Sequence, residues 1–187
     1  MAHWEPFEVS FQINQVASKD LLVPLTEIRK LVTSRWKDYR KLRLESLRRS
    51  PLAFGSSFGE EAALREREWK KRMKGAYFAM TGDVPLGMIV CSFNKDVKFR
   101  HIAEIFSFYV RPGCRGKGVG TALLDHALWV AKNNALIIKV RLYVNSRQRA
   151  AIRMYEKVGF MVVGRLDREM KVGGRYYEML VMEKRIR

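Results

Sequence analysis

The 187-residue chain is poor in cysteine, in histidine and in acids. Cys91 and Cys114 are too few for a disulfide framework or a cysteine-rich zinc site, and such sparse usage fits a reducing, cytoplasmic setting. His3, His101 and His126 are scattered without ligand spacing, so no structural metal is expected and His101 and His126 read as ordinary surface or strand-end residues. No apolar run approaches the roughly 18 residues a membrane helix needs. Met1-Ala2-His3-Trp4-Glu5 lacks the basic segment and apolar stretch of a secretory signal. Without repeats, linkers or low-complexity segments, residues 1–187 read as one domain.

The shortage of acid has a consequence of its own. Nineteen acidic residues face 36 basic ones, leaving a formal charge of +17. Such a field attracts nucleic acid, acidic protein or a phosphorylated cofactor. The basic residues are spread from Arg29-Lys30 to Arg187 rather than gathered in one tail, which suits a basic solvated surface as well. Helix-turn-helix, zinc-finger and RNA-binding signatures are missing, so specific nucleic-acid recognition is not expected.

Residues 1–20 alternate weakly and read as an arm or strand, and Leu21-Leu22-Val23 as a short strand before Pro24. Trp36, Tyr39, Leu42 or Arg43, and Leu47 recur at helical spacing, predicting a helix from Thr33 to Arg49 that Ser50-Pro51 closes. Ser57 with Glu60 forms a capping box that opens a second helix, running to about Lys74 before Gly75. Strands are expected over 76–81 and 86–93 around a turn at 82–85, then over 101–110 up to Pro112-Gly113. A helix over 118–132 and a near-continuous apolar strand over 137–144, buried on both sides, come next. A helix over 147–158 and strands over 160–166 and 176–184, around Gly173-Gly174, complete the chain. Helices alternating with strands imply an α/β fold with a mixed sheet and helices on its faces.

Arg115-Gly116-Lys117-Gly118-Val119-Gly120 lies between a strong strand and an amphipathic helix. A loop of this kind aims unpaired backbone N–H groups at one point, where the helix dipole adds positive charge and glycine allows close approach. Arg115 and Lys117 add full charges, making an anion site sized for a phosphate or pyrophosphate. A P-loop would need Ser or Thr after Gly116-Lys117, where Gly118 stands, and the spacing of Gly116, Gly118 and Gly120 does not match the dinucleotide fingerprint.

The stretch from Ile105 to Leu124 resembles the acetyl-CoA-binding core of the GNAT acetyltransferases, with the family's Arg-x-x-Gly-x-Gly pattern on Arg115, Gly118 and Gly120. Asn145-Ser146, Ala150, Tyr155, Lys157 and Gly159-Phe160 resemble its second signature, and a looser similarity runs from Trp36 to Glu183. The resemblance implies a mixed, mostly antiparallel sheet that splays between the strands ending at Val110 and Val144. It implies an acetyl-CoA site at Phe108, Tyr109 and Val110 on the strand, at Arg115, Gly116, Lys117, Gly118, Val119, Gly120 and Thr121 in the loop, and at Asn145 and Ala150. Members transfer acetyl directly to an amine, without an acyl-enzyme. An alkyl amine of pKa about 10 must first lose a proton, the leaving thiolate benefits from gaining one, and the thioester oxygen needs a donor.

By that resemblance the Val110 N–H faces the thioester oxygen, Tyr155 is the general acid and Glu104 the general base. Tyr155 could equally be core, Asn145 a helix cap, and Glu104 an arginine's ion-pair partner. Strand parity puts Glu104, Phe106, Phe108 and Val110 on one face and Ser107 on the other, unless an irregularity near the strand end upsets the count. Cys114, beside the loop, reads as an incidental thiol because direct transfer needs no nucleophilic cysteine. Trp36, Tyr39 and Phe54 are candidates for the acceptor side. The acceptor is a protein N-terminus, a lysine or a small amine, and a protein fits the basic surface better than a free polycation. A non-catalytic coenzyme A sensor and a nucleic-acid-binding protein are the competing classes. Homodimers are common in the superfamily, but no stretch of this sequence marks an interface.

Overall fold

The computed structural model describes residues 26–187, so the expected arm over 1–20 and the strand at Leu21-Leu22-Val23 lie outside the described residues. In chain order come β1 (Glu27–Arg29), α1 (Trp36–Arg49), α2 (Phe58–Ala62), α3 (Glu66–Arg72), β2 (Ala76–Thr81), β3 (Val84–Phe93) and β4 (Ile102–Val110). Then follow α4 (Val119–Lys132), β5 (Lys139–Asn145), α5 (Arg149–Lys157), β6 (Met161–Val172) and β7 (Arg175–Arg185). The seven strands form one sheet in the order β1-β2-β3-β4-β5-β7-β6, antiparallel throughout except between β4 and β5. This is the mixed, mostly antiparallel α/β sheet that the sequence led us to expect.

Two cores lie on opposite faces of that sheet. Leu123, Leu124, Ala127 and Ala131 of α4 and Tyr155 of α5 pack on Ile89, Ala103, Ile105 and Leu142. Tyr39, Leu42 and Leu47 of α1 and Trp69 of α3 pack on Phe78, Met80, Met88 and Tyr109 across the sheet. The Tyr39 ring meets Trp69 and Phe78 edge-on at centroid separations of 5.7 and 5.8 Å, a preferred aromatic geometry.

Several expectations need correction. The second helix is two, because Glu68 accepts a hydrogen bond from the Arg65 backbone N–H at 2.9 Å and starts a new helix there. The strand expected over 137–144 is not buried on both sides: Val140, Leu142 and Val144 face the core, while Tyr143 on the opposite face is 49% exposed. β6 runs on to Val172, well past the expected end at Leu166. His126 is not a surface residue; it is 5% exposed on α4, its ring 4.5 Å from that of Tyr77. Burial, and then the nearby Lys30 charge, lowers its pKa to about 4.

Two bulges shape the cleft side of the sheet. On β4, three steps from Phe106 to Tyr109 oppose two on β3, from Val90 to Met88, and Ser107 takes a left-handed φ of 53°. On β6, four steps from Leu166 to Met170 oppose two on β7, with Arg168 at φ 52°.

Candidate functional site

β4 and β5 are paired from Ile102↔Lys139 to Ile105↔Leu142. Beyond that point each strand continues without the other, to Val110 and to Asn145, and a gap opens between them. Past the bulge β4 stays paired with β3: Arg111 N–H donates to Leu86 O at 2.9 Å, so ladder alternation turns the Val110 N–H and C=O away from β3 and towards the gap. The Val110 carbonyl is occupied by Arg115 Nε at 2.9 Å, which leaves the N–H aimed into the opening. Gly87 is required opposite, because a Cβ there would stand 2.7 Å from Tyr109 O.

At one mouth of the gap the loop turns into α4. Gly116 and Gly118 hold φ of 72° and 80°, the left-handed region that glycine occupies without strain. The first α4 turn closes with Ala122 N–H to Gly118 O at 2.9 Å, so the N–H groups of Val119, Gly120 and Thr121 precede any intrahelical acceptor. A Cβ on Gly120 would make only ordinary contacts, 3.5 Å to Met154 Sδ and 3.5 Å to Phe108 Cζ. Protein packing therefore does not need glycine at 120. Arg115, Gly116, Gly118, Gly120 and Thr121 all line the cleft, and the donors, dipole and cations there fit a pyrophosphate. Val119 is buried in the core beneath, and neither it nor Lys117 is on the cleft wall. Cys114 is half-buried beside the loop and, like the buried Cys91, is a free thiol.

The cleft, about 1010 Å³, passes through the gap and so reaches both faces of the sheet. Tyr155 and Ala150 of α5 line it with Phe108, whose ring centroid is 6.1 Å from that of Tyr155. Burial pushes the Tyr155 phenol well above its ordinary pKa, so it keeps its proton at neutral pH. Asn145 is 1% exposed and not on the cleft wall; its Oδ1 accepts from Arg147 N–H at 3.0 Å in a local turn, and the N-cap of α5 is Gln148 rather than Asn145. Tyr109 donates to Glu45 Oε1 at 3.0 Å, and burial with this partner pushes its phenol up to about 12.

Glu104 lines the cleft too, but the expected parity fails. The Ser107 bulge inverts the alternation, so Phe108 and Val110 join the core under α4 while Glu104 alternates with buried Ala103 and Ile105 and faces the α1–α3 side. Glu104 and Tyr155 thus reach the gap from opposite faces. Of the three aromatic acceptor candidates, Phe54 lines the cleft, whereas Tyr39 is core and Trp36 flanks a shallow groove on the outer face of α1.

Sequence reasoning missed a buried ion cluster on the α1–α3 side of the cleft. Arg43 donates from Nε and Nη2 to the two Glu61 oxygens at 3.0 and 2.8 Å, and Arg72 Nη1 donates to Glu61 Oε1 at 3.1 Å. Burial raises the Glu61 pKa, but Arg43, the Ser56 hydroxyl and Arg72 outweigh it and hold the carboxyl below its usual range. In a continuous helix, Glu61 and Arg72 would stand about 16 Å apart along the axis. The break at Arg65 is what lets Arg72 return to the Glu61 carboxylate that Arg43 holds. Arg43 and Arg72 line the cleft, as does Phe106, which is 45% exposed. A signal existed: Tyr39, Arg43 and Leu47 are spaced by four, which puts an arginine on the buried stripe of α1.

A sequence model of the Acetyltransferase (GNAT) family matches residues 36–160. An uncharacterized N-acetyltransferase of Methanocaldococcus jannaschii is 33% identical over 93 residues, which are 49% of this chain and 41% of that protein. The matched stretch therefore spans less than half the length of that relative. A GNAT-family acetyltransferase from Streptococcus pneumoniae has the same fold, with a TM-score of 0.75 and 21% identity over 86% of this chain and 98% of its own. A putative acetyltransferase from Salmonella typhimurium, solved with its cofactor acetyl-CoA, gives 0.75 and 17% over 87% and 94%.

Proposed function

We propose that this chain, which belongs to the GNAT acetyltransferase family, transfers an acetyl group from acetyl-CoA directly to an amine. The observation that carries the reading is the gap between β4 and β5, with an anion-binding helix start at one mouth and a carboxylate at the other. Arg115, Gly116, Gly118, Gly120 and Thr121 hold the pyrophosphate, and Phe108, Val110 and Ala150 flank the arm that enters the gap. Bound acetyl-CoA supplies a thioester whose acetyl carbon an amine can attack without an intervening enzyme nucleophile.

The chain's own groups then divide the work. The Val110 N–H donates to the carbonyl oxygen as negative charge gathers there. Glu104, on the α1–α3 side, takes the proton that the incoming amine must lose. Tyr155, on the α5 side, holds a proton at Oη for the departing sulfur, and its raised pKa keeps that proton in place until a thiolate appears. Base and acid on opposite faces suit a reaction in which the amine arrives from one side and the sulfur leaves on the other. The acceptor, an amine of a small molecule, a protein N-terminus or a lysine, enters past Phe54 and Phe106. We place the protein in the cytoplasm, in keeping with two free thiols; no described helix is long and apolar enough to cross a membrane.

The test is steady-state kinetics over a panel of primary amines. Glu104→Gln and Tyr155→Phe are each expected to lower kcat by about 100-fold while acetyl-CoA affinity in calorimetry stays within about 3-fold. Full rates in both variants would remove the proposed base and acid.

A further inference from the structure

A guanidinium carries five N–H donors in one plane. In Arg43 the edge formed by Nε and Nη2 is spent on Glu61, at 3.0 and 2.8 Å. The remaining end, Nη1, is buried and has no hydrogen-bond partner in the structure. This cationic side chain is only 4% exposed, yet it forms part of the cleft wall. The Arg43 guanidinium carbon lies 4.6 Å from the centre of the Phe54 ring, which also lines the cleft. Arg72, also on the wall, shares Glu61 Oε1 at 3.1 Å, so two positive charges face one negative at this point. A buried, unpaired charged donor is unfavourable unless something supplies an acceptor.

We infer that the acceptor amine also carries a carboxylate, and that Arg43 Nη1 with Arg72 receives it. The inference rests on the acetyl-transfer reading and assigns a substrate class to the same cleft. A carboxylate is flat, carries two oxygens and pairs with a guanidinium in plane, which suits the donor end that Glu61 leaves without a partner. Glu104 faces the same side of the sheet and provides the opposite charge for the amine end. Arg115, Glu169 and Lys171 are the other charged side chains on the cleft wall; Arg115 is at the loop mouth, and Glu169 and Lys171 are two residues apart on β6 and of opposite sign. The substrate is therefore a zwitterion, with its ammonium towards Glu104 and its carboxylate towards the arginine pair. The carboxylate belongs either to a free amino acid or to an acidic residue beside a peptide's N-terminus.

The experiment compares kcat/KM for matched acceptors in two arms. One sets free amino acids against their carboxamides, and the other sets dipeptide amides with Asp or Glu second against those with Asn or Gln. A carboxylate preference of about 10- to 100-fold is expected in one arm, and that arm identifies the source. Arg72→Gln, at a side chain 41% exposed, should cut the preference to a few-fold without changing acetyl-CoA affinity in calorimetry. Arg43→Lys, which keeps the charge and loses the fork, should do the same. Equal rates for acid and amide overturn the inference. So does no turnover of any amino carboxylate by protein that binds acetyl-CoA, or a preference that survives in both variants. Failure to bind acetyl-CoA removes the transfer reading itself, and the inference with it.

Discussion

The two mouths of the cleft are built from different materials. At the loop mouth, backbone N–H groups and the start of α4 make the site, and the side chains that matter are mostly absent ones, at Gly116, Gly118 and Gly120. At the acceptor mouth, side chains from three helices, Arg43, Glu61 and Arg72, make the site by neutralising one another incompletely. A backbone site is as stable as the turn that carries it. A buried ion cluster is only as stable as its least replaceable member. The two ends should therefore break in different ways.

The largest effect is expected at Glu61. Glu61→Gln leaves two arginines facing each other with no carboxylate between them, one of them buried. Breaking a buried pair in this way costs about 3–5 kcal/mol. For a chain of this size the loss corresponds to a Tm lower by roughly 6–20 °C, read by calorimetry. Acetyl-CoA affinity of the folded variant should be unchanged. A weaker affinity as well would mean the two mouths are coupled.

Gly120→Asp makes the opposite break, with an expected loss of about 100-fold in acetyl-CoA affinity, or roughly 2.7 kcal/mol, and little or none in stability. The new Cβ would meet nothing closer than 3.5 Å, and a carboxylate in the first turn of α4 complements the helix dipole. The added charge and bulk would stand where we propose that the pyrophosphate binds. Titration calorimetry beside a melting curve reads both quantities, and a melting loss comparable to that of Glu61→Gln would mean this mouth also depends on side-chain packing.

The same contrast decides what could be read from sequence. Alternating strands, the loop and the pair of strand ends at Val110 and Val144 were legible, because backbone structure leaves periodic and glycine-spaced traces. The acceptor mouth was not legible, because Arg43, Glu61 and Arg72 meet only after the chain breaks at Arg65. The face of Glu104 was lost to the single extra residue at Ser107, where a left-handed serine carries no sequence mark. His126 was misread because nothing in the sequence of α4 shows that Tyr77, forty-nine residues earlier, packs against its ring.

The smallest of the three effects separates the mouths by pH. His126 lies on α4, among Tyr77, Trp129 and the charge of Lys30, and its folded pKa is about 4. Unfolded, it titrates near 6.5, so between those values the unfolded chain binds more protons and stability falls as pH falls. The loss reaches about 2 kcal/mol at pH 5. Glu61 has the opposite timing: its folded pKa is held below the ordinary carboxyl value of 4.5, so its contribution persists through that window and disappears only at lower pH. Hydrogen exchange from pH 6.5 down to 5, corrected for intrinsic rates, should show the α4 amides losing protection first while α2 and α3 hold theirs. His126→Gln should flatten the pH dependence of α4. Simultaneous loss on both faces would mean that the sheet joins the two mouths into one cooperative unit, and the difference in their construction would then govern binding without governing stability.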